Sequence, residues 1–156
     1  MTMRELTSTS SSGLEANTSY QLWLATNSLQ RAYRRGLAPL RLTFVQYFVL
    51  AAVSRLSPAK KACSQAQVCR FCGMDANMIS QVVKNLQRNG LLDRSEDAAD
   101  RRAFRLTLTP VGETLLIAAR ERLAPICAAF FAPLGDREQT LAEMLRLVLT
   151  NAGGRP

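Results

Sequence analysis

The chain has 156 residues, 47% of them apolar, and a formal net charge of +8 from 20 basic and 12 acidic side chains. That length suits one domain with its own core, and the positive balance favours an anionic partner such as nucleic acid. The chain contains no histidine, which excludes Ser-His and Cys-His nucleophiles; with no Gly-rich phosphate loop and no metal cluster either, the pattern implies neither an enzyme nor a cofactor.

The charge is unevenly spread. Residues 106–156 carry five basic and five acidic groups, so the whole net charge lies in the first 105 residues. The opening MTMRELTSTSSSG lacks the apolar run of a signal peptide. No stretch approaches the roughly 18 apolar residues of a membrane span. A cytoplasmic protein with no membrane partner and reduced cysteines is the resulting expectation.

Residues 1–14, rich in Ser and Thr, read as a disordered arm, and 15–156 as a single domain. A helix is expected over about 15–36, where Leu22, Trp23, Ala25, Leu29, Ala32 and Tyr33 recur at spacings of three and four, with Gly36 and Pro39 ending it. The segment 42–56 follows as a central helix capped by Thr43 and apolar nearly all round, and Ser57-Pro58 breaks it. SPAKKAC then reads as a short basic loop. Ser64 with Gln67 forms a capping box for a helix that stops at Gly73, and Asp75 caps the next, which runs to Gly90. Met78, Ile79, Val82, Val83 and Leu86 make the buried stripe of this second helix, with Asn77, Gln81, Lys84, Asn85 and Arg88 facing away.

Two short helices joined by a Gly-containing turn are the helix-turn-helix pattern. Residues 91–96 and 104–110 read as strands, the second alternating Phe104, Leu106 and Leu108 with Arg105, Thr107 and Thr109. Between them the tip carries Asp100, Arg101 and Arg102, which makes the hairpin a wing. Pro110 opens a long helix to about 131, which Pro125 should kink or split, and a last helix over about 136–150 is capped by Asp136. The fold class is therefore mainly α with a small β-hairpin wing (α+β): a winged helix-turn-helix over about 43–109, flanked by helices at 15–36 and 110–150.

Reading double-stranded DNA requires side chains that hydrogen-bond base edges in the major groove, phosphate contacts for register, and Lys or Arg for affinity. The helix at 75–89 offers Asn77, Ser80, Gln81 and Lys84 on its non-core face. Arginine at the wing tip suits the narrow, electronegative minor groove, with Asp100 bracing one guanidinium.

At this point the chain resembles the MarR family of bacterial transcription regulators over about residues 17–150. The carrying residues are Leu42-Thr43 with Gln46 and Leu50, Ser64-Gln65, Asn89-Gly90-Leu91, Asp100-Arg101-Arg102 and Leu108-Thr109-Pro110-Val111-Gly112. The resemblance implies a homodimer clamped by the N- and C-terminal helices. It would bind a pseudo-palindromic operator as a repressor, with half-sites about 10 base pairs apart, released by a small aromatic or phenolic ligand. It assigns Asn77, Met78, Ser80, Gln81 and Lys84 to the major groove, Arg101 and Arg102 to the minor groove, and Ser64 and Gln65 to the backbone. Gln81 departs from the pattern, since many members carry Arg there, which leaves the base preference open. The implied ligand pocket between dimerisation helices and DNA-binding lobe would draw on Tyr20, Trp23, Tyr33, Arg34, Arg41 and Tyr47. Two other readings stay open: a thiol-based redox regulator using Cys63, Cys69 and Cys72, with Arg70 lowering a thiol pKa, and a winged helix that binds protein. Cys69-x-x-Cys72 lacks a partner half, so no metal site is expected.

Overall fold

Each of the four longer helices of the N-terminal half starts at a side chain that satisfies an orphan backbone donor. The structure, a computed structural model, describes residues 13–58, 61–96 and 104–151. Helix α1 (Thr18–Leu37) is capped by Asn17, which accepts from Tyr20 N–H at 3.1 Å. Helix α2 (Phe44–Leu56) and helix α3 (Gln65–Cys72) start with full capping boxes, Thr43 with Gln46 and Ser64 with Gln67. The two boxes are near-identical: a backbone N–H donates to each glutamine Oε1 at 2.8 Å, and each hydroxyl accepts at 3.2 Å. Helix α4 (Ala76–Arg88) starts at Asp75, which accepts from Met78 N–H at 2.8 Å. Between α3 and α4, Gly73 takes the left-handed conformation that closes the first helix.

Helix α1 does not end at Gly36 but runs one residue past it. Gly36 is there because of a neighbour. A Cβ at Gly36 would stand 2.5 Å from Ile126 Cδ1 and 3.2 Å from Leu123 Cδ2 of helix α5 (Pro110–Phe131). Its carbonyl accepts from Arg122 Nε at 3.2 Å, so α5 also satisfies the end of α1. A short 3₁₀ turn, Ala38–Leu40, then leads to Arg41, held at φ 55°.

The sheet has three strands rather than the two of a plain hairpin. Strand β1 (Cys63–Ser64) comes from the segment read as loop, and pairs antiparallel with β3 (Phe104–Leu108), which pairs on its other side with β2 (Leu92–Glu96). Registers are Ser64 opposite Arg105, and Arg94 opposite Leu106. Arg94 lies over the Phe104 ring, its guanidinium carbon 3.4 Å from the centroid. The wing tip, with Asp100, Arg101 and Arg102, lies outside the described residues, as do positions 1–12 of the expected arm.

Helix α5 is not split at Pro125; it continues unbroken to Phe131. Its leading half is anchored by Leu116, Ala119 and Leu123, so tertiary packing overrides the local signal of the proline. Asp136 is no helix cap either. It sits inside a 3₁₀ segment, Ala132–Arg137, that turns through Gly135 at φ 52° before helix α6 (Glu138–Asn151). One core unites the rest: Leu50 and Val53 of α2, Val68 of α3, Ile79, Val83 and Leu86 of α4, Leu92 and Leu106 of the wing, and Leu116 of α5. No residue of α6 is buried.

Candidate nucleic-acid interface

The 3.6-residue repeat sorts the side chains of α4 into faces. Ile79, Val83 and Leu86 are fully buried. On the opposite face Asn77, Gln81, Lys84 and Arg88 are exposed in one stripe, with Ser80 half-buried beside it. This face presents amides that can bond adenine bidentately and cations for guanine or phosphate. Met78 does not join the buried stripe: it is 47% exposed, about a quarter-turn away from the core direction, beside Asn77. Asn85 does not face away: it is half-buried, and its Oδ1 accepts from Gln46 Nε2 of α2 at 2.6 Å.

Ser64 and Gln65 stand half-buried at the start of α3. The Ser64 oxygen is occupied by Gln67 N–H, leaving its O–H to donate outward. Gln65 Oε1 is buried with no hydrogen-bond partner. The wing is tied at its root to the adjoining helices. Thr109 Oγ1 donates to the Gly90 carbonyl at 2.7 Å and accepts from Gly112 N–H at 3.0 Å, while Thr109 N–H donates to Leu91 carbonyl at 3.2 Å.

The six expected pocket residues do not gather in one place. Tyr20 and Trp23 stack on each other, centroids 5.9 Å apart, with Trp23 exposed. Tyr33 lies about 20 Å further along α1, by the 1.5 Å rise per residue. It meets Phe44, Tyr47 and Phe48 of α2 at centroid distances of 5.6 to 6.1 Å. Arg34 and Arg41 are exposed. The cation beside the aromatic cluster is instead Arg120 of α5, whose charge near the Tyr47 phenol partly offsets the rise in its pKa that burial causes. Tyr33 neighbours Cys127 of the same helix; burial first, then the interaction with Cys127, pushes its pKa well above the ordinary phenol value. Two phenols and a guanidinium thus converge where α1, α2 and α5 meet.

The cysteines are all free. Cys63 is buried and lies 3.7 Å from the Leu106 carbonyl. Burial pushes the Cys69 thiol up, aided by Asp75, and this outweighs the lowering by a backbone hydrogen bond and by Arg70. Burial and the neighbouring Cys69 push Cys72 up as well. Both thiols are held protonated, the reverse of what an oxidant-sensing thiolate needs. Among the described residues no group of three His, Cys, Asp or Glu side chains is placed to hold a metal ion.

Residues 42–103 match the MarR family model. Over 137 residues, 88% of this chain and 93% of the relative, the sequence is 31% identical to the uncharacterized HTH-type transcriptional regulator YdcH of Bacillus subtilis (strain 168). The chain belongs to the MarR family of transcriptional regulators. Among solved MarR-like structures, Bordetella bronchiseptica BpsR superposes with a TM-score of 0.74 at 27% identity, covering 83% of this chain and 96% of BpsR. The DNA binding of BpsR is regulated by 6-hydroxynicotinic acid. The repressor CouR of Rhodococcus jostii RHA1, bound to a 23-mer DNA duplex, superposes with a TM-score of 0.79 at 24% identity, covering 86% of this chain and 94% of CouR. That likeness confirms the winged-helix fold.

In this MarR-family chain the contacts of two side chains escape sequence reasoning. Arg120 carries no signal, because nothing local says which arginine of a long helix meets a tyrosine 73 positions earlier. Gln46 does carry one: Thr43-x-x-Gln46 repeats the capping-box pattern of Ser64-x-x-Gln67. No single helix among the described residues is long and apolar enough to cross a membrane.

Proposed function

We propose that this MarR-family regulator is a repressor that binds a pseudo-palindromic double-stranded operator as a homodimer and releases it on binding a small aromatic acid. The observation that carries the DNA reading is the exposed stripe Asn77, Gln81, Lys84 and Arg88 on a helix whose opposite face is locked into the core. Asn77, Met78, Ser80, Gln81 and Lys84 meet base edges and adjoining phosphates. Ser64 and Gln65 meet the backbone. Arg101 and Arg102 enter the minor groove, with Asp100 as brace. Two recognition helices related by a two-fold axis set the half-sites about one helical turn apart.

The dimer reading is supported by helix α6, which has no fully buried residue within the chain and exposes Met144, Leu147, Val148 and Leu149. Leu22 and Trp23 of α1 are exposed too. Contiguous apolar faces of this kind mark interfaces. The effector reading is supported by Tyr33, Tyr47 and Arg120: the rings stack a planar ligand and the guanidinium pairs with a carboxylate. BpsR, a relative by structure, answers to such an acid. The raised Cys69 and Cys72 pKa values count against the thiol-sensing alternative.

A gel shift at physiological salt tests the proposal, with a duplex selected from a randomised pool. The wild-type chain should select a two-fold symmetric sequence, and Arg102→Ala should abolish its retention. Selection of no sequence would refute the DNA reading. Loss of duplex binding on adding 6-hydroxynicotinic acid to wild type but not to Arg120→Ala would establish the acid site.

A further inference from the structure

Helix α4 is held to the core by Ile79, Val83 and Leu86. Apolar contacts fix its distance but are non-directional, so they set its rotation about its own axis only weakly. One directional contact crosses from α2 to α4. Gln46 Nε2 donates to Asn85 Oδ1 at 2.6 Å. Neither partner is free to swing. Gln46 Oε1 accepts from Thr43 N–H at 2.8 Å, and Asn85 Oδ1 takes a second donor, Asn89 Nδ2, at 3.2 Å. The cap of α2 is thereby wired through two amides to the last turn of α4.

We propose that Gln46, acting through Asn85, is a positioning residue for base reading: it sets the rotation at which α4 offers Gln81 and Lys84 to the major groove. The inference rests on the reading of α4 as the recognition helix. Rotating a helix by about 10° moves side-chain ends, about 6 Å from its axis, by about 1 Å. Hydrogen-bond distances span only about 0.5 Å, so a bidentate base contact does not survive such a shift. Non-specific binding needs only cations near phosphates and does survive it. Asn85 follows Lys84 directly and lies one turn after Gln81, so whatever turns Asn85 turns both. The signature is a fall in the ratio of specific to non-specific affinity, with non-specific affinity unchanged.

Fluorescence anisotropy on the full chain reads this ratio, using a duplex that the wild type selects from a randomised pool and poly(dI-dC) as the non-specific competitor. Asn85→Leu, which has no acceptor, should lower the ratio about tenfold, the size of a lost half-buried hydrogen bond, with poly(dI-dC) affinity unchanged. Asn85→Asp keeps the acceptor and adds a negative charge, so it should weaken both affinities and leave the ratio at the wild-type value. Gln46→Met should match Asn85→Leu, and the double variant should fall no further than either single one. A wild-type ratio in folded Asn85→Leu overturns the proposal, as does a fall in Asn85→Asp equal to that in Asn85→Leu. If circular dichroism shows that Asn85→Leu does not fold, Gln46→Met decides on the same ratio; if neither folds, the bond is a folding determinant and the proposal is overturned. A wild-type chain that selects no duplex removes the recognition-helix reading and the proposal with it.

Discussion

At Gly112 the backbone leaves no room for a side chain, because a Cβ there would run into the Leu91 carbonyl, where the first turn of α5 is pressed against the root of the wing. Gly112→Ala must push these segments apart, and thermal unfolding should show a loss of about 2–3 kcal/mol with a lower midpoint. Asp75→Ala removes the acceptor of the Met78 N–H and should cost about 1 kcal/mol by the same measurement. Four half-buried acids give a pH dependence. Cys69 and Cys72 are raised above 9.0 and Tyr33 and Tyr47 above 10.0, burial being the leading cause in each. Below about pH 7.5 these groups are protonated both folded and unfolded. Above it the unfolded chain gives up protons that the folded chain keeps, so stability falls as pH rises. With no histidine in the chain, the urea midpoint should be flat from about pH 6 to 7.5 and lower at pH 10. The caps at Thr43, Ser64 and Asp75 are legible in the sequence because each satisfies a donor three residues on. The Gln46–Asn85 bond spans 39 residues, and no local pattern announces such a partner.

Element by element, periodicity locates the six helices and both wing strands, and it fails where tertiary contacts overrule it. Strand β1 has two residues, too few for an alternation to register. Met78 joins the apolar stripe by residue type alone, although its angle on the helix places it at the edge of the polar face. Pro125 signals a break, yet α5 continues because its buried residues on the preceding turns hold it down. The proline lacks the N–H that would bond the Glu121 carbonyl, so Pro125→Ala should raise the calorimetric midpoint, by up to about 3 kcal/mol of stability. The recognition helix gives a separable pair of outcomes under the proposed DNA reading. Lys84→Ala should reduce the slope of log affinity against log salt by about 1 and leave base preference intact. Gln81→Ala should leave the slope intact and relax selection at one base pair by about 1–3 kcal/mol. The wing arginines are legible as a charge pattern; the residues that shape the aromatic cluster are half legible. Tyr33 and Tyr47 stand out by type, while Arg34 and Arg41 stand exposed and Arg120 arrives from a helix far along the chain.

At the scale of the molecule, the neutral last third and the basic first two thirds divide the labour under the proposed reading: the charged part reads, and the apolar helices at the two termini associate. Leu147 is 72% exposed in the single chain. Leu147→Glu should leave the circular dichroism spectrum unchanged while shifting sedimentation from dimer towards monomer; an unshifted dimer would move the interface elsewhere. Ser64 belongs at once to the sheet and to the cap of α3, bonded into β1 on one side and to Gln67 on the other. Its strand partner β3 is the return arm of the wing. The first helix of the helix-turn-helix and the wing are therefore two ends of one lever, and neither travels without the other. Under the proposed reading, an effector bound at the helix junction moves α3 and the wing together, so the quantity it alters is the span between the two heads of the dimer, and an operator with altered half-site spacing should prefer the occupied form.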